Sequence, residues 1–380
     1  MNGTVLVRYG ELTLKSEPVR REFEKTLIGN IRSILEGIPI EIETERGRIF
    51  VETPRPGEVS SRLSRVPGIV SSSPTQRAEA SMDEICRAAT RIFEENFPSK
   101  GSFAVRARRV GDHEFSSKDI EEKIGAEILK ENPDMSVDLD SPDHEVHVEI
   151  RGDDAYVFTE IVEGIGGLPV GTQGRVIVLF SGSVNSLVSA YLAMKRGALP
   201  YLLFLDPGEG GAGEKERILD LSRKLLKFHP ELELLTAPLR PFLEEISERI
   251  PEKMRWIVCR RMRLRLAQSI AEEVGAKALV SSADINQISS WSLENVKIIE
   301  EKIECPLLYP LTGFDEEQIS SIGEKIAGAG IHPEDLHPCP QAIPEPGEMD
   351  LEGVREKEKN IPEKGLMESS LSSLETRELR

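Results

Sequence analysis

The sequence predicts an α/β protein in which two small α+β regions precede a doubly wound domain with a parallel sheet. Three observations support this prediction. Strand-like apolar segments alternate with helical segments after about residue 175. Before residue 160, strands with alternating apolar residues flank amphipathic helices. The glycine-rich segment at residues 161–174 separates the two patterns, and glycine adds little to a core.

The first predicted region spans residues 1–55. Strand-like TVLVRYGELTLK precedes a helical stretch from about Glu17 to Glu36, and IPIEIETERGRIFVET then resumes the alternation of apolar and polar residues. Strands around one amphipathic helix indicate a small α+β unit.

The second predicted region spans residues 56–165. Helical SMDEICRAATRIFEENF, strand-like GSFAVRARRV and helical SSKDIEEKIGAEILKE follow one another. HEVHVEIRG and DAYVFTEIVE then flank the turn residues Gly152, Asp153 and Asp154, which predicts a hairpin.

A linker at residues 166–174 leads into the predicted parallel-sheet domain, residues 175–340. Strand-like VIVLF, YLLFL, ELELL and KALVS alternate with helical segments near residues 186–196, 213–227, 241–249 and 252–274. Ligands of doubly wound domains bind beyond the carboxyl ends of the strands, so the end of VIVLF is a candidate site.

Residues 341–380 are charged, contain several prolines and lack aromatic side chains. This composition predicts a mostly disordered tail with, at most, transient helix.

Composition limits the classes of function. The formal net charge of −18 argues against general attraction to nucleic acid, so local basic patches would have to bind any RNA. The four cysteines are too dispersed for a disulfide framework, and the histidines show no metal-site spacing, so no metal ligands are assigned. Without a signal peptide or a membrane-length apolar run, we expect a cytoplasmic protein.

The stretch VIVLFSGSVNS, residues 176–186, is typical of a strand that turns sharply into a helix. Backbone N–H groups at such a helix start can bind phosphate. We assign this role to the turn, to which Ser181, Ser183 and Ser186 add hydroxyl donors, while Gly182 permits the bend. A Cβ on Ser183 could crowd a phosphate or require a backbone angle that serine tolerates poorly. The alternative is that serine and asparagine only cap the helix.

Two basic clusters are candidate RNA contacts. One contains Arg106, Arg108 and Arg109, and the other runs from Lys253 to Arg265. In the second, Arg261 and Arg265 are four residues apart on one helix face, an arrangement suited to a nucleic-acid backbone or to the phosphates of a nucleotide. The alternative for both clusters is a solvated surface.

In this order, the three regions resemble the tRNA 4-thiouridine synthetase family, the sulfurtransferases that also serve thiamine biosynthesis. VRYGELTLKSEPVRREFEKTLIGNI is similar to its N-terminal ferredoxin-like domain, and FAVRARRVGDHEFSSKDIEEKIGAEI resembles a THUMP domain, an RNA-binding module. SGSVNSLVSAYLAMKRG, the middle segment through SSADINQ, and YPLTGFDEEQI resemble a PP-loop ATP pyrophosphatase domain.

The resemblance implies ATP-dependent chemistry on a uridine of tRNA, with ATP and Mg²⁺ required. The oxygen at uracil C4 attacks the α-phosphate, pyrophosphate leaves, and persulfide sulfur then displaces AMP. It further implies a tRNA partner, a separate sulfur donor, either a cysteine desulfurase or sulfide, and a possible homodimer without membrane attachment.

The resemblance also assigns residues. It implies adenine contacts at Leu179, Phe180, Phe204 and Leu205, whose alternative role is strand core. Arg260, or its neighbour Arg261, matches a phosphate-binding arginine. Ser282 and Gln287 lie in a second ATP segment, in which Gln287 matches the family and Ser282 replaces a glycine. The catalytic positions are Asn185, in place of the acid of the family, and Cys339, a cysteine that attacks or resolves the persulfide.

Several residues depart from the family pattern, namely Ser183, Asn185, Ser282, Ala283 and Asn286. Asn185 lacks the carboxylate that would place Mg²⁺. An alternative function is therefore a tRNA-binding protein whose ATP site is not catalytic.

Overall fold

A computed structural model describes residues 3–45, 47–208, 211–283, 293–328 and 350–380. The chain divides into two compact units, Met1–Gly167 and Leu168–Arg380. Within the described residues, no helix combines the length and the apolar character needed to cross a bilayer.

The first unit consists of a sheet covered by helices. Its strands are β1 (Gly3–Tyr9), β2 (Glu41–Glu45), β3 (Arg48–Thr53), β4 (Ile69–Glu79), β5 (Gly101–Val110), β6 (Met135–Val137), β7 (His144–Arg151), β8 (Asp154–Phe158) and β9 (Val162–Glu163). Its helices are α1 (Glu17–Ile34), α2 (Pro56–Leu63), α3 (Met82–Asn96) and α4 (Ser117–Glu131). The sheet order is β2-β3-β1-β4-β8-β7-β5-β6, with β9 paired to β4.

Strand β4 joins the two predicted N-terminal regions. Its first part, from Ile69 to Thr75, pairs with β1, whereas Gln76–Glu79 pairs with β8. The boundary that the sequence predicts at residue 55 therefore lies inside one compact unit. The predicted hairpin is confirmed, because β7 and β8 pair antiparallel around Gly152.

The second unit is a doubly wound α/β fold, as predicted. Its strands are β10 (Arg175–Leu179), β11 (Leu199–Asp206), β12 (Leu232–Pro238), β13 (Leu279–Val280), β14 (Leu307–Leu308) and β15 (Glu375–Leu379). Its helices are α5 (Val184–Lys195), α6 (Gly211–Arg223), α7 (Arg240–Arg249), α8 (Glu252–Val274), α9 (Leu293–Glu300), α10 (Glu316–Ala327), α11 (Leu351–Glu358) and α12 (Glu363–Ser372).

The order of these strands, β14-β13-β10-β11-β12-β15, fixes the position of the site. From β10 the chain moves to β11 and β12 on one side and then returns to β13 on the other, so β10 lies at the point where the strand order reverses. In such sheets this reversal opens a crevice at the carboxyl end of the strand, where the turn after Leu179 lies.

The prediction of a disordered tail is wrong for residues 350–380. Helices α11 and α12 pack in the second unit, and β15 pairs antiparallel with β12. Sparse apolar side chains suffice for this packing, since Val354, Ile361 and Leu379 are buried. These few apolar side chains lie among many charged residues, so the composition of the segment predicted disorder. Some of the charged residues are themselves buried in ion pairs.

A group of ion pairs, here called the C-terminal clamp, holds this segment to α8. Glu358 is buried and accepts hydrogen bonds from Arg261 Nε at 2.5 Å and from Arg265 Nη2 at 2.8 Å. Arg261 also donates to Glu301 and to the Ile298 carbonyl. The remaining pairs are Arg265 with Glu363 and Arg355 with Glu301.

The charge of Glu358 depends on these partners. Burial alone would raise the pKa of the Glu358 carboxyl, but the hydrogen bonds and charges of Arg261 and Arg265 outweigh it and lower the pKa. Glu358 is therefore ionised at neutral pH.

We expect Glu358→Gln to reduce the free energy of unfolding by about 3 kcal/mol, because two buried guanidinium groups lose a carboxylate they share. Chemical denaturation followed by tryptophan fluorescence measures the change. Glu356→Gln, at an exposed position of the same helix, is the matched control and should have little effect. Equal stability of the two variants would contradict a stabilising role for the clamp.

The clamp also predicts a pH dependence. The hydrogen bond from Arg355 is the largest of the effects that lower the pKa of Glu301, from its ordinary 4.5 to about 2. A carboxyl with a depressed pKa stabilises the folded chain above about pH 4.5, and this contribution disappears as the pH falls towards about 2. Glu301→Gln should flatten this part of a stability-versus-pH curve, whereas an unchanged slope would contradict the assignment.

Candidate active site

The turn between β10 and α5 is shaped by Gly182. Its φ of +77° lies in the left-handed region that favours glycine. A Cβ at this position would lie 2.6 Å from Cδ1 of Ile218 on α6. The backbone angle and the lack of space for a Cβ therefore both require glycine at position 182. This confirms the prediction that Gly182 permits the bend.

Ser183 adopts ordinary backbone angles, with φ of −83° and ψ of 162°. The expectation that serine could be poorly tolerated here is therefore wrong, because the unusual angle belongs to Gly182. Ser183 is the N-cap of α5, and its hydroxyl accepts a hydrogen bond from the Ser186 amide at 3.1 Å.

The hydroxyls of Ser181 and Ser186 both donate hydrogen bonds to Ser183. Ser181 Oγ donates to Ser183 Oγ at 3.0 Å, and Ser186 Oγ donates to the Ser183 carbonyl at 2.9 Å. Because Ser183 Oγ accepts in both of its bonds, its own proton can be donated to a ligand. The cap and the anion site that the sequence offered as alternatives are compatible at this serine.

The candidate adenine contacts come together in one pocket. Leu179 is the last residue of β10, Phe180 follows it, and Phe204 and Leu205 lie near the end of β11. All four line a pocket together with Ser181, Leu203, Glu214 and Arg263. These side chains are also largely buried, as the alternative role in the strand core predicts, and their contact with adenine stays a prediction.

Sequence reasoning did not assign Arg217 or a separate role to Arg263. Arg217 lies on α6, which passes beside the turn, and its Nη2 is 3.7 Å from the Cβ position of Gly182. Arg263 lies on α8 and lines the pocket. In the sequence, the only indication of a role for Arg263 is that it belongs to the basic run at residues 253–265. The run does not show which of its arginines face the turn.

Members of that basic run lie in different surroundings. The predicted contacts of Arg261 and Arg265 with RNA or ATP are wrong, because both side chains are buried in the C-terminal clamp. Arg260 lies with its guanidinium carbon 5.9 Å from the ring centroid of Trp256 and does not line the pocket described above.

The remaining candidates around ATP are only partly described. Ser282 follows β13, the neighbour of β10, and so lies at the same edge of the sheet as the turn. Asn185 lies, partly exposed, in the first turn of α5. Gln287 and Cys339 lie outside the described residues.

The described cysteines do not form a reactive thiol site. Cys259 is completely buried, and burial raises the pKa of Cys86 and of Cys305. A raised pKa disfavours the thiolate, which is the nucleophilic form.

In the first unit, the three candidate RNA-binding arginines differ in their contacts. Arg106 pairs with Glu145 at 2.9 Å and also donates to the Leu139 carbonyl, and Arg109 donates to the Gly111 carbonyl. Arg108 is exposed, and no ion pair is found for it in the described part of the chain.

Arg108 belongs to a larger arginine cluster that sequence reasoning missed, formed by Arg8, Arg48, Arg108 and Arg151 around Glu149. Arg48 and Arg151 each donate to Glu149 at 2.8 Å. The pKa of Arg8 is lowered, mainly by burial and further by repulsion from the other three arginines. The attraction of Glu149 raises this pKa but does not offset the lowering. Positive charge therefore exceeds negative charge in the cluster, which strands β1, β3, β5 and β7 assemble from residues far apart in sequence.

Comparison with known proteins agrees with this architecture. Residues 4–73 match the ThiI ferredoxin-like domain, residues 79–160 match the THUMP domain, and residues 171–361 match the family described as Thiamine biosynthesis protein (ThiI). The chain is 36% identical to a "Probable tRNA sulfurtransferase" of Methanothermobacter thermautotrophicus, over 85% of this chain and 84% of the relative. A protein of the same name from Thermococcus kodakarensis is 37% identical over 86% of this chain and 88% of its own length.

Two solved structures are similar as well. A 4-thiouridine synthetase in complex with RNA and with bound ATP matches with a TM-score of 0.90 and 27% identity, over 100% of both chains. A protein from Pyrococcus horikoshii matches with a TM-score of 0.68 and 30% identity, over 85% of this chain and 99% of its own. The chain belongs to the ThiI family, whose curated relatives are named tRNA sulfurtransferases.

Proposed function

We propose that this chain is an ATP-dependent tRNA sulfurtransferase that makes 4-thiouridine in tRNA. The observation that carries the proposal is the match, over the full chain, to a 4-thiouridine synthetase crystallised with RNA and ATP. The turn and pocket at the carboxyl ends of β10 and β11 support it, because they lie where a nucleotide binds in a doubly wound fold.

In the proposed reaction, the oxygen at uracil C4 forms a bond to the α-phosphorus of ATP and pyrophosphate leaves. The outer sulfur of a persulfide then bonds to C4, and AMP leaves with that oxygen. A second thiolate attacks the inner sulfur and breaks the sulfur–sulfur bond, which leaves 4-thiouridine and a disulfide that an external thiol reduces. When sulfide is the donor, its sulfur bonds to C4 directly and no sulfur–sulfur bond is broken.

The start of α5 and the Ser183 hydroxyl would bind the developing charge of the pyrophosphate, because backbone N–H groups and the helix dipole are directed at the ligand. The adenine would contact Leu179, Phe180, Phe204 and Leu205 at the mouth of the pocket, because the pocket itself is about 10 Å³, which is the space of about one water.

The sulfur source is a separate partner, either a cysteine desulfurase or sulfide. Cys339 is the proposed cysteine that attacks or resolves a persulfide. The burial of Cys259 supports the choice of a cysteine elsewhere in the chain. We further propose a link to thiamine biosynthesis, because the matching family is described as a thiamine biosynthesis protein. We also propose that the protein is cytoplasmic and forms a homodimer.

We propose that the arginine cluster of the first unit binds phosphates of the tRNA. Arg108 is its exposed member, and the excess of arginines over carboxylates supplies the local positive charge that a chain of net charge −18 needs for RNA. Readout of shape and backbone is usual for helical RNA.

The central test is an assay for 4-thiouridine with purified protein, unmodified tRNA, Mg·ATP and a sulfur source that supports a known relative. We expect product, and at least a tenfold loss in Gly182→Ala, because the new Cβ needs an unfavourable φ and approaches Ile218. Gly213→Ala is the control, since no atom lies within 4 Å of its added Cβ. Binding of tRNA without any product or pyrophosphate release would instead favour a tRNA-binding protein with a non-catalytic ATP site.

For the RNA surface, we expect Arg108→Gln to weaken tRNA binding about threefold and to reduce the slope of log affinity against log salt by about one. Filter binding at several salt concentrations measures both quantities. Arg91→Gln, which removes another exposed arginine of the same unit, should leave the slope unchanged. A slope that Arg108→Gln does not alter would remove Arg108 from the RNA surface.

A further inference from the structure

Two arginines bring polar atoms without partners to the candidate nucleotide site. Nη2 of Arg217 and Nε of Arg263 are both buried and have no hydrogen-bond acceptor in the part of the chain that the structure describes. A buried donor without an acceptor destabilises the folded chain, and more so when the group is charged. Such atoms are uncommon in native proteins, and each calls for an explanation.

The two side chains approach the turn from different helices. Arg217 extends from α6 towards Gly182, with 3.7 Å between its Nη2 and the Cβ position of that glycine. Arg263 extends from α8 and lines the same pocket as Ser181, the first residue of the turn. Arg217 thus lies at the bend itself, whereas Arg263 is one of the side chains that line the pocket beside it.

Nearby carboxylates do not balance these charges. Asp206 pairs with Lys215 at 2.8 Å and accepts a hydrogen bond from the Gly208 amide. Glu214 lines the pocket. Burial raises the pKa of its carboxyl most, and repulsion from Asp206 raises it further. Together these effects outweigh the attraction of Arg217 and Lys215, so the pKa is raised. Arg261 and Arg265 differ in this respect, because the C-terminal clamp pairs each of them with two carboxylates.

The residues of the turn do not fit a Mg²⁺ ion held by the protein. Mg²⁺ binds to proteins mainly through carboxylates, and the turn offers serine hydroxyls and the Asn185 amide. Across the described residues, no group of three or more metal-ligating side chains is found. The positive charge that the turn does have nearby comes from arginine.

We infer that Arg217 and Arg263 neutralise the phosphates of the nucleotide in place of a metal ion held by the turn, so that ATP binds to this chain without Mg²⁺. Arg217, at the bend, binds the terminal phosphates that leave as pyrophosphate, and Arg263, beside the pocket walls, binds the α-phosphate. This inference rests on the proposed nucleotide site and assigns its positive charge to two residues that contact the phosphates.

The test is calorimetric titration of the full chain with ATP, AMP and pyrophosphate, each in Mg²⁺ and in EDTA. We expect ATP affinity to agree within about threefold between the two buffers. Arg217→Gln should weaken ATP and pyrophosphate at least tenfold and spare AMP, whereas Arg263→Gln should weaken ATP and AMP and spare pyrophosphate, as loss of a charged hydrogen bond predicts. The control is Arg223→Gln, also on α6, which removes an arginine whose ion pair with Asp220 is solvent-exposed.

Thermal unfolding of the free protein provides a second readout. If the two arginines are held for a ligand, removing either uncompensated charge should leave the melting temperature unchanged or raise it. A structural arginine would give a clear decrease. A decrease in both variants, with ATP affinity unchanged after correction for the folded fraction, would overturn the inference.

Failure of the inference can be distinguished from failure of the proposed function. Binding of ATP only in Mg²⁺, with both glutamine variants equal to the control, would overturn the role of the arginines and leave the nucleotide site intact. Absence of ATP binding in either buffer would overturn the nucleotide site and this inference together.

Discussion

The backbone at Gly182 is the constraint on which the candidate site depends. Gly182 has a φ of +77° and lies beside Ile218, which leaves no space for a Cβ. At this residue the chain changes direction between β10 and α5 within a few residues. That reversal directs the start of α5 to the crevice where the strand order changes and allows Ser183 to cap the helix with ordinary backbone angles. With the bend in place, strand ends, helix start and arginines meet at one edge of the sheet.

Helix α8 separates structural arginines from those near the site. Arg261 and Arg265 are buried against the C-terminal segment and share Glu358, which fixes the helix in the second unit. Arg263 lies between them in sequence but lines the pocket beside the turn. The clamp and the candidate site therefore share helix α8, so that the segment at residues 350–380 supports the position of Arg263 at the candidate site.

Local patterns predicted much of this architecture. Strand and helix alternation located the parallel sheet, and VIVLFSGSVNS located the turn, because both signals lie within short stretches of sequence. The tail was misjudged because Val354, Ile361 and Leu379 are sparse, and because Glu358 is stabilised by arginines about a hundred residues away in the chain. Composition cannot show such partners. Likewise, the basic run predicted charge on α8 but not which arginines are paired, since that depends on what packs against each side of the helix.

The central claim is that the turn at residues 181–186 binds the phosphates of ATP. Hydrogen–deuterium exchange of peptides covering β10, the turn and the first turn of α5, with and without saturating ATP, tests it directly. We expect ATP to slow amide exchange only in the turn and at the start of α5, because the amides there become hydrogen-bonded to phosphate. Unchanged exchange there, with ATP demonstrably bound and protection at another segment, would contradict it.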